Sequence, residues 1–260
     1  MAYERDRASA APPVARVAAW DRIGGLRHAF FGRGGGVSDG PWRSLNVSDR
    51  VGDDPQAVAD NWHQVRLAAP DLSFARMRQV HGVRVLSVEH ADGAEDADGM
   101  ITCTAGLGLA VLSADCVPVL CVAPGARAVM ALHAGWRGTL AGIVSAGLAV
   151  AKDRYGIQPD AWQVALGPSI GACCYEVESH IGEQLVARWG TMLDAWHPAG
   201  ARGLLDLRAV NRHILASHGV PEAQIVAVGP CTACRQDEYF SHRGSQGQAG
   251  RQLSVIGWAA

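Results

Sequence analysis

Hydrophobic residues in this chain gather in short runs closed by glycine, proline or polar clusters, with amphipathic stretches between them. Runs of that length suit strands, and the stretches between them suit helices. The clearest run, Val129-Met130-Ala131-Leu132, has no helical period and stops at His133, ahead of Ala134-Gly135-Trp136-Arg137-Gly138. It predicts a buried strand that delivers a histidine to its end, followed by a helix over 139–150. Further strands are predicted at 14–20, 75–80, 83–89, 107–113, 162–166 and 226–228, with His81-Gly82 as a bend between the second and third. Helices are predicted at 56–68, capped by Asp54 with Pro55 behind it, and around 181–189 and 207–217. Cys116 falls where one strand breaks, and Pro118, which cannot donate a ladder hydrogen bond, predicts an edge or irregular turn beside it. Strands and helices in this mixture predict a layered α/β or α+β fold.

Between these elements, residues 32–41 are too glycine-rich for helix or strand and should form a turned loop with exposed amides. Arg33 on that loop, with Ser44 and Asn46 just behind it, offers one charge and several hydrogen bonds to a phosphate. A plain flexible loop and an ordinary turn account for the same residues. Val37 stands where a dinucleotide fingerprint needs its last glycine, and no Gly-Lys-Ser/Thr follows to make a P-loop.

Composition narrows the class. A chain of 260 residues, 48% hydrophobic and with a net charge of -2, can bury a large core and is not a disordered polymer. We read 1–260 as one domain, with 1–13 as a flexible extension. The scattered arginines form neither a nucleic-acid footprint nor a membrane-binding patch. No signal-peptide core and no run long enough to span a bilayer are visible, so a cytoplasmic location is expected. The odd count of 7 cysteines favours thiols or a metal over disulfides.

Three residues at strand breaks, His81, Cys116 and His133, have the types that bind zinc, and three protein ligands with one open position make a catalytic site. Their long separations exclude a zinc finger and require a site built by the tertiary fold. Pro230-Cys231-Thr232-Ala233-Cys234 matches half of the zinc deaminase pattern, but no His-x-Glu supplies the other half. A third reading makes Cys116 a nucleophile activated by His81 or His133.

Four segments resemble a known family. Gln79-Val80-His81-Gly82, Ala114-Asp115-Cys116-Val117-Pro118-Val119-Leu120, His133-Ala134-Gly135-Trp136-Arg137-Gly138 and Gly167-Pro168-Ser169-Ile170-Gly171-Ala172-Cys173-Cys174-Tyr175-Glu176-Val177 occur in the order of the YfiH-type family. The likeness runs from Phe30 to Arg251. Members of that family go under the names purine nucleoside phosphorylase, polyphenol oxidase (laccase) and peptidoglycan editing factor. The resemblance implies an α+β domain layered as an α/β/β/α sandwich, with zinc on His81, Cys116 and His133. It also implies phosphorolysis of adenosine, inosine and methylthioadenosine and deamination of adenosine, with purine nucleoside and phosphate as partners. Arg33, Ser44, Asn46 and Arg243 are the expected substrate-binding residues, and Asp115 and Glu176 are acid/base candidates that serve equally as structural acceptors. Trp62 and Gly244 stand where the family often has arginine. Copper oxidation suits the residues less, because the histidines do not fall into paired H-x-H motifs. A hydrolase acting on a cell-wall precursor is the remaining enzymatic alternative, and a binding module the least favoured. Oligomeric state is not written in the sequence.

Overall fold

The buried runs build two sheets stacked face to face. The computed structural model describes residues 14–91, 95–190 and 194–260, so the expected extension 1–13 lies outside the described residues. The first sheet contains β1 (Val14–Ala15), β2 (Leu26–Phe31), β14 (Gln252–Trp258), β6 (Leu107–Ser113) and β3 (Ser73–Ala75), in that order. The second runs β13 (Ile225–Ala227), β9 (Gln163–Leu166), β7 (Val117–Ala123), β8 (Ala128–Ala134), β5 (Gly99–Thr102) and β4 (Val85–Ser87). A small third sheet orders β10 (Glu176–Glu178), β12 (Arg202–Leu205) and β11 (Trp196–Ala199).

Side chains alternate between faces, and each face has a covering layer. Leu109, Val111 and Ile256 from the first sheet meet Leu120, Val122, Val129 and Ala131 from the second in one core. The outer face of the first sheet, with Phe31, Ala110 and Val255, packs on Val58, Trp62 and Val65 of α1 (Pro55–Ala68). The outer face of the second, with Val119, Cys121, Met130 and Leu132, packs on α3 (Ile143–Tyr155), α4 (Ser179–Trp189) and α5 (Leu207–Ser217). The expected α/β/β/α layering is therefore observed. Because β7 and β8 are covered on both faces, their sequences read as continuous apolar runs instead of alternating. By the period of two, Val129, Ala131 and His133 share the face that looks between the sheets.

Local departures from the sequence expectations have identifiable causes. Pro118 is not at an edge: it lies in β7, flanked by β8 and β9. Pairing with β9 begins at Val119, and Gly167 donates to the Pro118 carbonyl, so the missing N–H falls where that ladder ends. The helix expected at 139–150 is two helices, α2 (Trp136–Ala141) and α3, broken at Gly142 in the left-handed region (φ +98°). The strand expected at 75–80 stops at Ala75; further on, the Gln79 side chain takes over, donating to the Leu112 carbonyl and accepting from the Leu112 amide. The strand expected at 14–20 is only β1, after which Trp20 enters a short 3-10 turn. Strands β2, β5, β10, β11, β12 and β14 were not among those expected.

Candidate metal centre and substrate pocket

The end of β8 carries His133, and the loop between β6 and β7 carries Cys116. His81 comes from the segment between β3 and β4. One ligand atom from each of the three lies within 4.8 Å of the others. Cys116 Sγ and His81 Nε2 are 3.9 Å apart, and the two imidazoles meet edge to face with centroids 4.9 Å apart.

A buried carboxylate assembles this group. Asp98, fully buried immediately before β5, accepts through Oδ1 from the His81 amide at 2.9 Å and from His133 Nδ1 at 2.8 Å. Its Oδ2 accepts from the Gly82 amide at 2.6 Å and the Val80 amide at 3.1 Å. Binding Nδ1–H leaves His133 Nε2 as a lone-pair donor, the tautomer that a metal ligand needs. The three amide bonds hold His81 in the left-handed region, φ 61°, where a non-glycine residue is strained unless its surroundings fix it. Asp115 is the counterpart beside Cys116, with φ 89°. Its Oδ1 accepts from Thr232 Oγ1 at 2.7 Å and its Oδ2 from the Arg243 amide at 2.6 Å.

Electrostatics follow from this packing. Burial raises the Cys116 thiol, but the charge and hydrogen bonding of His133 and His81 outweigh it and hold the group at about 6. Burial lowers His133, but Cys116 and Asp98 outweigh that and raise it to about 9. Burial also opposes ionisation of Asp98; His133 and the amides overcome it, leaving the carboxyl below its usual range. The packing thus favours the ionised form of the Cys116 thiol. The donor chemistry fits a metal: a thiolate and two imidazoles match the three-ligand sets of zinc. Gly135 keeps the approach open, since a Cβ there would lie 2.9 Å from Cys116 Sγ and 3.0 Å from His81 Cδ2. Arg137, beside it, stacks over Trp136 at 4.3 Å.

These three residues line a pocket of 450 Å³, within the range of small-molecule sites. Arg50, Arg76, Arg78, Arg251 and His242 also line it, with Val47, Met77, Ala110 and Leu112 as apolar wall and Asp49 as the acidic lining residue. Arg78 pairs with Asp96, and Arg76 lies over the Trp62 ring at 5.2 Å.

The structure brings His81, Cys116 and His133 together and engages the other expected residues with other parts of the chain. Arg33 donates to the backbone carbonyls of Arg43 and Gln236 and lies over Phe240. Ser44 bonds both backbone groups of Gly36, and Asn46, fully buried, bonds Ser48, Asp53 and the Arg251 amide. Arg243 donates to the Glu176 carbonyl and lies over Tyr175, while the Glu176 carboxylate pairs with Arg202. None of Arg33, Ser44, Asn46 or Arg243 lines the pocket. Cys231 and Cys234 belong to a separate group with Cys173 and Cys174. Asp98, the four lining arginines and His242 were not singled out from sequence: Asp98 sits in an acidic turn beside Glu95 and Asp96, with nothing local to distinguish it.

Comparison with known proteins places this architecture. Residues 27–259 match the family model described as multi-copper polyphenol oxidoreductase laccase. The chain is 38% identical over 237 residues to the purine nucleoside phosphorylase YlmD of Geobacillus stearothermophilus, covering 86% of each chain. It is 34% identical over 231 residues to the adenosine deaminase RL5 of an unknown prokaryotic organism, covering 83% of this chain and 87% of that one. The crystal structure of the hypothetical protein YfiH from Bacillus licheniformis superposes with a TM-score of 0.89 at 30% identity, covering 95% of this chain and 97% of that one. With the family model spanning nearly its whole length and relatives of this similarity, the chain belongs to the YfiH-type family.

Proposed function

We propose that this protein is a metal-dependent purine nucleoside phosphorylase, acting on adenosine, inosine and methylthioadenosine. The observation that carries the reading is the meeting, in one 450 Å³ pocket, of the His81, Cys116 and His133 donor set with four arginines. The similarity to proteins named purine nucleoside phosphorylase supports the substrate class.

In phosphorolysis a phosphate oxygen forms a bond to C1′ of the ribose as the bond from C1′ to the purine nitrogen breaks. The electron pair leaves with the purine, which takes up a proton. Arg50, Arg76, Arg78 and Arg251 hold the phosphate and orient its oxygen toward the sugar. His242 supplies the proton to the departing base. The wall of Val47, Met77, Ala110 and Leu112 takes the flat purine and excludes water that would compete with phosphate. His81, Cys116 and His133 hold the metal, and zinc bound there supplies Lewis acidity. Arg33, Ser44 and Asn46 act by fixing the glycine-rich loop and the Arg251 backbone, and Asp115 and Arg243 by bracing the Cys116 turn.

Deamination of adenosine is the second reading, supported by the similarity to a protein named adenosine deaminase. Polyphenol oxidation, which the family model's description suggests, calls for more copper ligands: among the described residues the other His/Cys/Asp/Glu group is made of cysteines. The test is incubation with adenosine, with and without phosphate, on wild type and Cys116→Ala, with products separated by chromatography. Adenine and ribose 1-phosphate formed only with phosphate, and lost in Cys116→Ala, are the expected result. Inosine and ammonia formed regardless of phosphate establish the second reading, and equal activity in Cys116→Ala overturns the metal-centred mechanism.

A further inference from the structure

We propose that Cys173, Cys174, Cys231 and Cys234 form a second metal site, a tetrathiolate that binds one zinc ion. The fold creates it. β9 and β13 are parallel neighbours, so the loops that leave their C-terminal ends emerge at the same edge of the sheet. Those loops are tied together: Ser169 and Cys231 form a β-bridge, and the Thr232 amide donates to the Ser169 carbonyl at 3.0 Å. One loop carries Cys173 and Cys174, the other Cys231 and Cys234.

All four Sγ atoms lie within 4.8 Å of one another, with Cys234 Sγ 3.5 Å from Cys173 Sγ and 3.4 Å from Cys174 Sγ. With Zn–S bonds of about 2.3 Å, a regular tetrahedron has edges of about 3.8 Å, so the four sulfurs are nearly in place. Cys234 stands equally close to two partners, the arrangement of ligands around a centre and not of two disulfide pairs. An iron–sulfur cluster would hold its thiolates farther apart, across the width of its inorganic core.

Two further features match a structural zinc site. Cys231 and Cys234 have the C-x2-C spacing typical of such sites. The Gly171 amide donates to Cys231 Sγ at 3.2 Å, the kind of outer bond that steadies a metal-bound thiolate. Zinc binding converts the thiols to thiolates and releases their protons to solvent, with no change of oxidation state. The ion would clamp the two loops that position Thr232 against Asp115 and Tyr175 against Arg243. It thereby braces the Cys116 turn from outside the pocket.

The test is metal analysis of protein purified anaerobically with reductant and zinc. About two zinc ions per chain are expected for wild type and about one for either His133→Ala or the double variant Cys231→Ser/Cys234→Ser. Should the double variant not fold, X-ray absorption at the zinc edge of His133→Ala protein reads the same site without touching it. A shell of sulfur alone at about 2.3 Å is expected. A His133→Ala protein without zinc, a shell containing nitrogen or oxygen, or disulfides among the four cysteines in the intact mass would each overturn the proposal.

Discussion

Replacing Asp98 by asparagine preserves shape and removes half of what the residue does. The carboxylate accepts four hydrogen bonds, two on each oxygen, from the amides of Val80, His81 and Gly82 and from His133 Nδ1. An asparagine offers one oxygen, so two of the four donors lose their acceptor and face an N–H instead. Bonds to a charged acceptor contribute about 1.5–3 kcal/mol each, so the metal-free protein should lose about 3 kcal/mol or somewhat more of stability. The metal effect is separate. If the oxygen stays with Val80 and Gly82, the amide N–H faces His133 Nδ1 and draws the imidazole into the other tautomer. The proton then sits on Nε2, and metal affinity should fall about 10- to 100-fold.

Urea unfolding in the presence of chelator reads the first effect, and competition for zinc against a chromophoric chelator reads the second. A variant that loses stability but binds zinc within about twofold of wild type would show that Asp98 only props the His81 turn, refuting the tautomer argument. A variant unchanged in both would refute the whole account of the residue.

Two other perturbations probe independent parts of the molecule. His28 is buried against Trp20, its Nε2 accepting from the Val17 amide, and burial lowers it from 6.5 to about 4. Between those values the unfolded chain binds a proton that the folded protein does not, so stability rises with pH through that window and is level above it, by about 3 kcal/mol in all. Denaturant midpoints at pH 5 and pH 7.5 should differ more in wild type than in His28→Gln; equal differences would assign the acid sensitivity to other groups. Gly135→Ala sets a methyl group 2.9 Å from Cys116 Sγ and 3.0 Å from His81 Cδ2. Zinc affinity should fall about tenfold or more, measured by the same competition, and unchanged affinity would mean that the ligand triad is looser than drawn.

Legibility in the sequence followed burial. The doubly covered strand Leu107–Ser113 and the amphipathic helix Leu207–Ser217 were readable to the residue, because an unbroken apolar run marks the first and a helical period the second. Strand Gln252–Trp258 was missed although every residue in it is buried, since buried Gln252 and Ser254 and then Gly257 interrupt the apolar run that marks a doubly covered strand. The candidate ligand triad stood out because His81, Cys116 and His133 each sit where an apolar strand breaks, and the resemblance to the YfiH-type family selected it over the nucleophile reading. The pocket arginines were not, because Arg50, Arg76 and Arg78 look like any surface arginine until β3 and the 47–51 turn converge. Arg33, Ser44 and Asn46 were drawn together as a phosphate cradle because polar residues near a glycine loop match loop bracing and anion binding equally well.

The position of β14 between β2 and β6 bears on how the protein is made. Synthesis delivers His81, Cys116 and His133 well before residues 252–258 leave the ribosome. Until then β2 and β6 both lack the strand that lies between them, and unpaired edges invite pairing with other chains. Arg251 and His242, which finish the pocket, arrive with the same late segment. The three candidate ligands are therefore present on the nascent chain before the pocket is complete, and the last strand both closes the sheet and brings in the end of the pocket wall.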